Sequence, residues 1–164
     1  MTRTPRPADP RWRFFTDDRT GWTSAWFAGE HRVMIPFGCT PAPYYDPDPG
    51  CSGGRGFHHG VDVAIPCGVP LRAGHPALVL DHAALGPAYG TDPVLLRVGG
   101  QDVVIGHTTR VYAEPDDRLA RGEVFARVGD SGAPDGCHLH FEVRPADGDH
   151  TTAVDPLPLL GLQS

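Results

Sequence analysis

Apolar and polar positions along this chain alternate over short stretches, never over long ones. Val61-Asp62-Val63-Ala64-Ile65 and Phe141-Glu142-Val143 place every second residue on one side. Leu78-Val79-Leu80, Val94-Leu95-Leu96-Arg97-Val98, Val103-Val104-Ile105 and Val124-Phe125-Ala126 are brief β-branched or aromatic runs. Each is bounded by Gly, Pro, Asp or Ser, the punctuation of turns. A period of two and runs of this length predict strands. No heptad, internal repeat or low-complexity tract is present. The expected fold class is therefore mainly β, an antiparallel β-sheet protein with long loops.

The flanks read differently. Residues 1–13 are polar and rich in Pro and Arg, which predicts a loose terminus. Residues 14–34 carry Trp22, Trp26 and Phe27 among turn residues, as expected of an extension packing its aromatics on a core; a substrate-facing flap is the alternative. Residues 36–56 form a Pro/Gly/Asp/Tyr loop. The division that follows is an N-terminal extension (1–30), a Pro/Gly loop region (31–56), a core (57–145) and a tail (146–164). In the tail, Val154–Leu160 is apolar enough to tuck against the sheet.

Composition narrows the picture. The 164 residues make one domain large enough for its own core, and 21 Gly with 18 Pro suit loops better than helices. All 14 basic residues are arginine, with neither lysine nor asparagine, which points to a GC-rich genome. The net charge of -6 and the lack of a basic stripe argue against nucleic acid as a partner. Cys39, Cys51, Cys67 and Cys137 lack the CxxC spacing of a structural zinc site. Their positions, flanking the loop before His58 and the two histidine segments, suggest disulfides Cys39–Cys51 and Cys67–Cys137 and an oxidising compartment. Four free thiols are the alternative.

The chemistry lies in two histidine segments, His58-His59-Gly60-Val61-Asp62 and His138-Leu139-His140-Phe141-Glu142. Side chains of equal parity share a strand face, so His58 would face with Asp62 and His138 with His140. If the strands are neighbours, imidazoles and a carboxylate converge on one point. That is the donor set of a catalytic zinc, three N/O ligands with a fourth position open to water. His59 falls on the other face. Gly129-Asp130-Ser131-Gly132 imitates a serine-protease nucleophile, but the chain is too short for two barrels, and the tetrapeptide reads as a turn.

From Phe57 to Arg144 the chain resembles the lysostaphin-type zinc endopeptidases, bacterial enzymes that cut peptide bonds in peptidoglycan. The resemblance rests on His58-x-Gly60-x-Asp62, Gly68-Val69-Pro70-Leu71-Arg72-Ala73, Tyr89-Gly90, Gly106-His107 and His138-Leu139-His140-Phe141-Glu142-Val143-Arg144. It implies the antiparallel β-sheet sandwich of that family (a duplicated hybrid motif), with zinc (Zn2+) held by His58, Asp62 and His140. It implies also that His107 and His138 are catalytic histidines outside the metal's shell, and that the substrate is a peptidoglycan or related Gly- or D-Ala-containing peptide. Two departures stand out. Ile105-Gly106-His107 replaces the family's Tyr-x-His, and no tyrosine lies just before His58, although Tyr44 and Tyr45 lie upstream.

Peptidoglycan lies outside the membrane, yet the chain opens on no apolar run of signal-peptide type, and no segment is long and apolar enough to span a membrane. A second reading is therefore a cytoplasmic zinc enzyme of a biosynthetic pathway, acting on a small peptide or an amide-bearing metabolite.

Overall fold

The computed structural model describes residues 6–164. Its strands are β1 (Trp22–Ser24), β2 (Phe27–Ile35), β3 (Gly38–Thr40), β4 (Gly56–His58), β5 (Val61–Ala64) and β6 (Pro70–Arg72). They continue as β7 (Ala77–Leu80), β8 (Val94–Val98), β9 (Gln101–Gly106), β10 (Arg118–Leu119), β11 (Val124–Arg127) and β12 (Leu139–Pro145). The helical content of the described residues is one four-residue helix, α1 (Leu157–Leu160), and two 3-10 turns.

Ten strands form one antiparallel sheet in the order β10-β7-β8-β9-β12-β5-β2-β6-β11, with β1 on β2, while β3 and β4 pair apart. The sheet doubles over along β2. Its second half pairs with β5 (Arg32↔Ala64, Val33↔Val63), whereas Phe27 at its start pairs with Leu71 of β6. Trp26 fills the fold between the layers, its ring 6.5 Å from Phe125 of β11 and 5.0 Å from Phe141 of β12. The apolar positions of β5, β8, β9 and β12 join it in one core. Burial of each large side chain there contributes about 1.5–3 kcal/mol.

The strands expected from the alternation are all present, within a few residues at their ends. The β-sheet fold class is thus confirmed. β2 is a strand the pattern did not disclose. Gly29, with φ +82, and the polar run Glu30-His31-Arg32 break its period. Its two ends also serve different layers, so no single alternation describes it.

The N-terminal segment differs from expectation as well; residues 1–5 lie outside the described residues, but residues 6–15 are held down rather than loose. Asp9 accepts hydrogen bonds from Arg11 and from the backbone N–H of Cys137 at 2.9 Å, and Arg11 reaches Asp130 at 3.0 Å. Trp12, Phe14 and Phe15 pack on a second small core of Met34, Ile35, Ala42 and Ala64. This strap crosses the sheet beside the second histidine segment. The tail tucks in as expected: Leu160 is buried, and the carbonyls of Leu159 and Leu160 accept from Trp26 Nε1 and Ser24 Oγ at 3.1 and 2.7 Å.

Candidate metal centre

β12 is flanked by β5 and β9, and the ladder sets His140 opposite Asp62 on one side and Gly106 on the other. Alternation then sends Leu139, Phe141 and Val143 into the core and His140, Glu142 and Arg144 to the opposite face. Gly106 leaves room for the imidazole: a Cβ there would stand 3.2 Å from that of His140. His58 arrives by another route. It ends β4, which pairs with β3 and not with the main sheet, and His59-Gly60 turns the chain before β5 begins. The expected single strand from His58 to Asp62 is therefore broken. Gly60 is obligatory at the turn, because a Cβ would lie 2.7 Å from both His140 Cε1 and the Phe141 carbonyl.

The side chains meet nonetheless. His58 Nε2 lies 3.3 Å from Asp62 Oδ1 and 3.3 Å from His140 Nδ1, and His140 Nδ1 lies 2.9 Å from Asp62 Oδ1. All three residues are buried. A tetrahedral ion with arms of about 2.0–2.1 Å sets its ligand atoms about 3.3 Å apart, so the spacing fits a metal. The tautomers fit too. His58 Nδ1 meets the Pro36 carbonyl at 3.2 Å and His140 Nε2 meets Glu142 at 2.9 Å. Both partners only accept, so each ring donates there and turns its lone pair inward, as in oriented metal ligands. Three electron-rich atoms then converge, and a cation or an extra proton must sit among them. Without a metal it is the proton: burial opposes charge on His140, but Asp62 and Glu142 outweigh it and raise its pKa to about 9. Burial likewise opposes the charge of Asp62, and the surrounding histidines still hold its carboxyl well below the usual range.

His138 and His107 stand beside this cluster. His138 Nδ1 donates to the Gly136 carbonyl at 3.0 Å, and its Nε2 lies 3.4 Å from the second oxygen of Asp62. That nitrogen is buried with no hydrogen-bond partner, and the residue is 2% exposed. His107 Nδ1 donates to the Ser131 carbonyl at 2.7 Å, and its ring centroid is 4.5 Å from that of His138. Its backbone is in the left-handed region, φ 63, a conformation that side-chain-bearing residues seldom adopt away from constrained sites. Burial and the neighbouring histidines push its pKa down to about 4, so it is neutral at neutral pH. Ser131 offers its carbonyl to His107 while its hydroxyl bonds Thr91, which suits the turn reading and not a nucleophile. His59 points away, against Phe57 and His150.

Several groups had no role assigned from sequence. Glu142, wholly buried, binds His140 and Arg144 (2.6 Å) and accepts from Tyr89 at 3.0 Å, and Arg144 donates to the same Tyr89 hydroxyl at 2.9 Å. The parity that pairs His138 with His140 extends to Glu142 and Arg144 and signals them. Tyr45 stacks on His58 with ring centroids 5.1 Å apart, and no local spacing announces that. Asp135 is a buried carboxyl 3.7 Å from His138 Nδ1 whose pKa burial pushes up. Both suggested disulfides are present, Cys39–Cys51 and Cys67–Cys137, and no described cysteine is free. The second ties the residue before His138 to the loop after β5.

Residues 56–156 match the family described as Peptidase family M23. The DD-carboxypeptidase/endopeptidase Mpg of Neisseria meningitidis is 30% identical over 88 residues, 54% of this chain and 20% of the relative. The glycyl-glycine endopeptidase ALE-1 of Staphylococcus capitis is 28% identical over 118 residues, 71% of this chain and 32% of the relative. The chain thus spans a fifth to a third of the length of these relatives. The catalytic domain of lysostaphin from Staphylococcus simulans superposes with a TM-score of 0.63 at 22% identity, covering 79% of this chain and 92% of that one.

Proposed function

The chain belongs to peptidase family M23 and is a hydrolase of metallopeptidase type, and from that premise we propose that it is a zinc endopeptidase cutting peptide bonds in peptidoglycan or related Gly- or D-Ala-containing peptides. The observation that carries the metal is the convergence of His58 Nε2, Asp62 Oδ1 and His140 Nδ1, each with its lone pair turned inward. A zinc ion held there would acidify a water molecule and polarise the scissile carbonyl. His138, with a buried and unpartnered Nε2, accepts the proton of the attacking water. His107, neutral and ring to ring with His138, keeps its Nε2 free as a hydrogen-bond acceptor beside it, and the proton taken up by His138 passes to the leaving amine. Tyr45 shields His58 from solvent.

The names of the two relatives, an endopeptidase for glycyl-glycine and a DD-carboxypeptidase/endopeptidase, support the substrate class. The two disulfides favour an oxidising setting, and with it a wall substrate over a cytoplasmic metabolite. The test compares purified cell walls with short Gly-Gly and D-Ala peptides, before and after chelation and with zinc restored. Peptide-bond cleavage of walls that chelator stops and zinc restores is expected. Zinc-independent cleavage, or turnover confined to small amides, would overturn the reading.

A further inference from the structure

A cleft of about 1170 Å³ runs along the N-terminal strap, which lines it with Arg6, Ala8, Trp12 and Phe14. Ala64, two residues beyond Asp62 on β5, is part of its floor, and Trp12 of the strap is part of its wall. Four arginines line it, Arg6, Arg32, Arg110 and Arg127, against the single carboxylate of Glu30. The arginine–carboxylate ion pairs among the described residues engage Arg11, Arg97 and Arg144 instead. Four arginines against one carboxylate in the lining, on a chain of net charge -6, are a local inversion of sign, and such a cleft focuses anions.

Three of the four arginines are also placed rather than merely exposed. Arg127 is aimed by the Tyr112 hydroxyl at 2.9 Å and the Gly68 carbonyl at 2.8 Å, and Arg6 rests on the Cys67 carbonyl at 3.2 Å. All these partners are neutral, so the charges stay uncancelled. Arg32 lies over the ring of Phe14 at 3.9 Å, and its Nε is buried without a hydrogen-bond partner. A buried guanidinium donor calls for an acceptor. Tyr112, 53% exposed, and Trp12 add ring faces beside the charges.

We propose that this cleft binds a polymer bearing repeated oxyanions, phosphodiester or carboxylate, on a polyol or sugar backbone that carries no nucleobases, and so holds the enzyme on an anionic surface polymer. Guanidinium forks suit phosphate and carboxylate oxygens, and the aromatic rings suit the apolar faces between them. The cell wall as the location of that polymer rests on the proposed function; the binding itself does not.

The experiment titrates the full chain by calorimetry with poly(glycerol phosphate), with polygalacturonate and with a single-stranded oligonucleotide, at two salt concentrations. Binding of one of the first two, weakening as salt rises, is expected, and which one binds identifies the oxyanion. Arg110→Gln, at an exposed residue, and Arg32→Gln should together weaken it about tenfold. Zinc content and cleavage of a short uncharged peptide should stay unchanged. Should the double variant misfold, Arg110→Gln alone reads the same direction. No binding by either polymer, binding indifferent to Arg110→Gln, or tighter binding of the oligonucleotide would each overturn the proposal. Loss of peptide cleavage with polymer binding intact would count against the proposed function and not against the cleft.

Discussion

Along β12, Leu139, Phe141 and Val143 face the sandwich core, whereas His140, Glu142 and Arg144 face the candidate metal centre, and all six are buried. The core face is held by non-directional packing. The opposite face is held by a chain of charge-assisted contacts in which every member has a named partner. The first tolerates another apolar residue of similar volume. The second tolerates almost nothing, since removing one member leaves its neighbour charged, buried and alone. Alternation alone divides the strand between a scaffold and a reactive surface.

The sharpest way to break that contrast is His140→Ala. It should abolish stoichiometric zinc and bring hydrolysis to background, whereas His138→Ala should keep the metal and lose activity by roughly 10²–10⁴-fold. Elemental analysis beside a peptide assay distinguishes them. Full zinc in the His140 variant would mean that the polar face is not a metal centre.

Next come paired substitutions on the two faces. Phe141→Ala should cost about 3–5 kcal/mol of unfolding free energy and Phe141→Leu much less. Glu142→Gln, although isosteric, should cost about 3 kcal/mol, because Arg144 then stays buried without its anion. Urea unfolding of the three variants tests it. A Glu142→Gln loss smaller than that of Phe141→Leu would erase the difference between the faces.

The two disulfides close loops of unequal length. Cys67–Cys137 closes a separation of 70 residues and Cys39–Cys51 one of 12. Chain entropy then assigns about 4 kcal/mol to the first and about 3 kcal/mol to the second. Replacing each pair by Ala and measuring thermal unfolding should reproduce that order, with metal affinity falling more in the Cys67/Cys137 variant.

A comparable effect is in pH. The core face titrates nothing, whereas His107 behind the polar face has its pKa pushed from 6.5 to about 4. Between those values the unfolded chain binds the extra proton and the folded chain does not. Stability therefore rises with pH across this window and is lost as pH falls from 6.5 to 4, by on the order of 3 kcal/mol. In His107→Gln that part of the slope should vanish; an unchanged slope would place its origin elsewhere.

The strands of the core and the facing of His140 were legible because both follow from local alternation, which needs only a few consecutive residues. The disulfide pairing was legible from position. Less accessible was His58, whose shared strand with Asp62 does not exist; a turn enforced by Gly60 delivers it. β2 was hidden because its partners β5 and β6 lie far along the chain in different layers and its middle is polar.

By itself the sequence determined the β class, the two histidine segments and which side of β12 each residue takes, since a period of two is a property of neighbouring residues. Only the tertiary structure decided what each side chain meets. The strap that brings Asp9 to Cys137, the stacking of Tyr45 on His58 and the inward tautomers of His58 and His140 all depend on groups distant in sequence. So does the gathering of Arg6, Arg32, Arg110 and Arg127 around one cleft. Strand pairing and burial create those neighbours, and burial makes each unpaired charge or lone pair costly enough to require one.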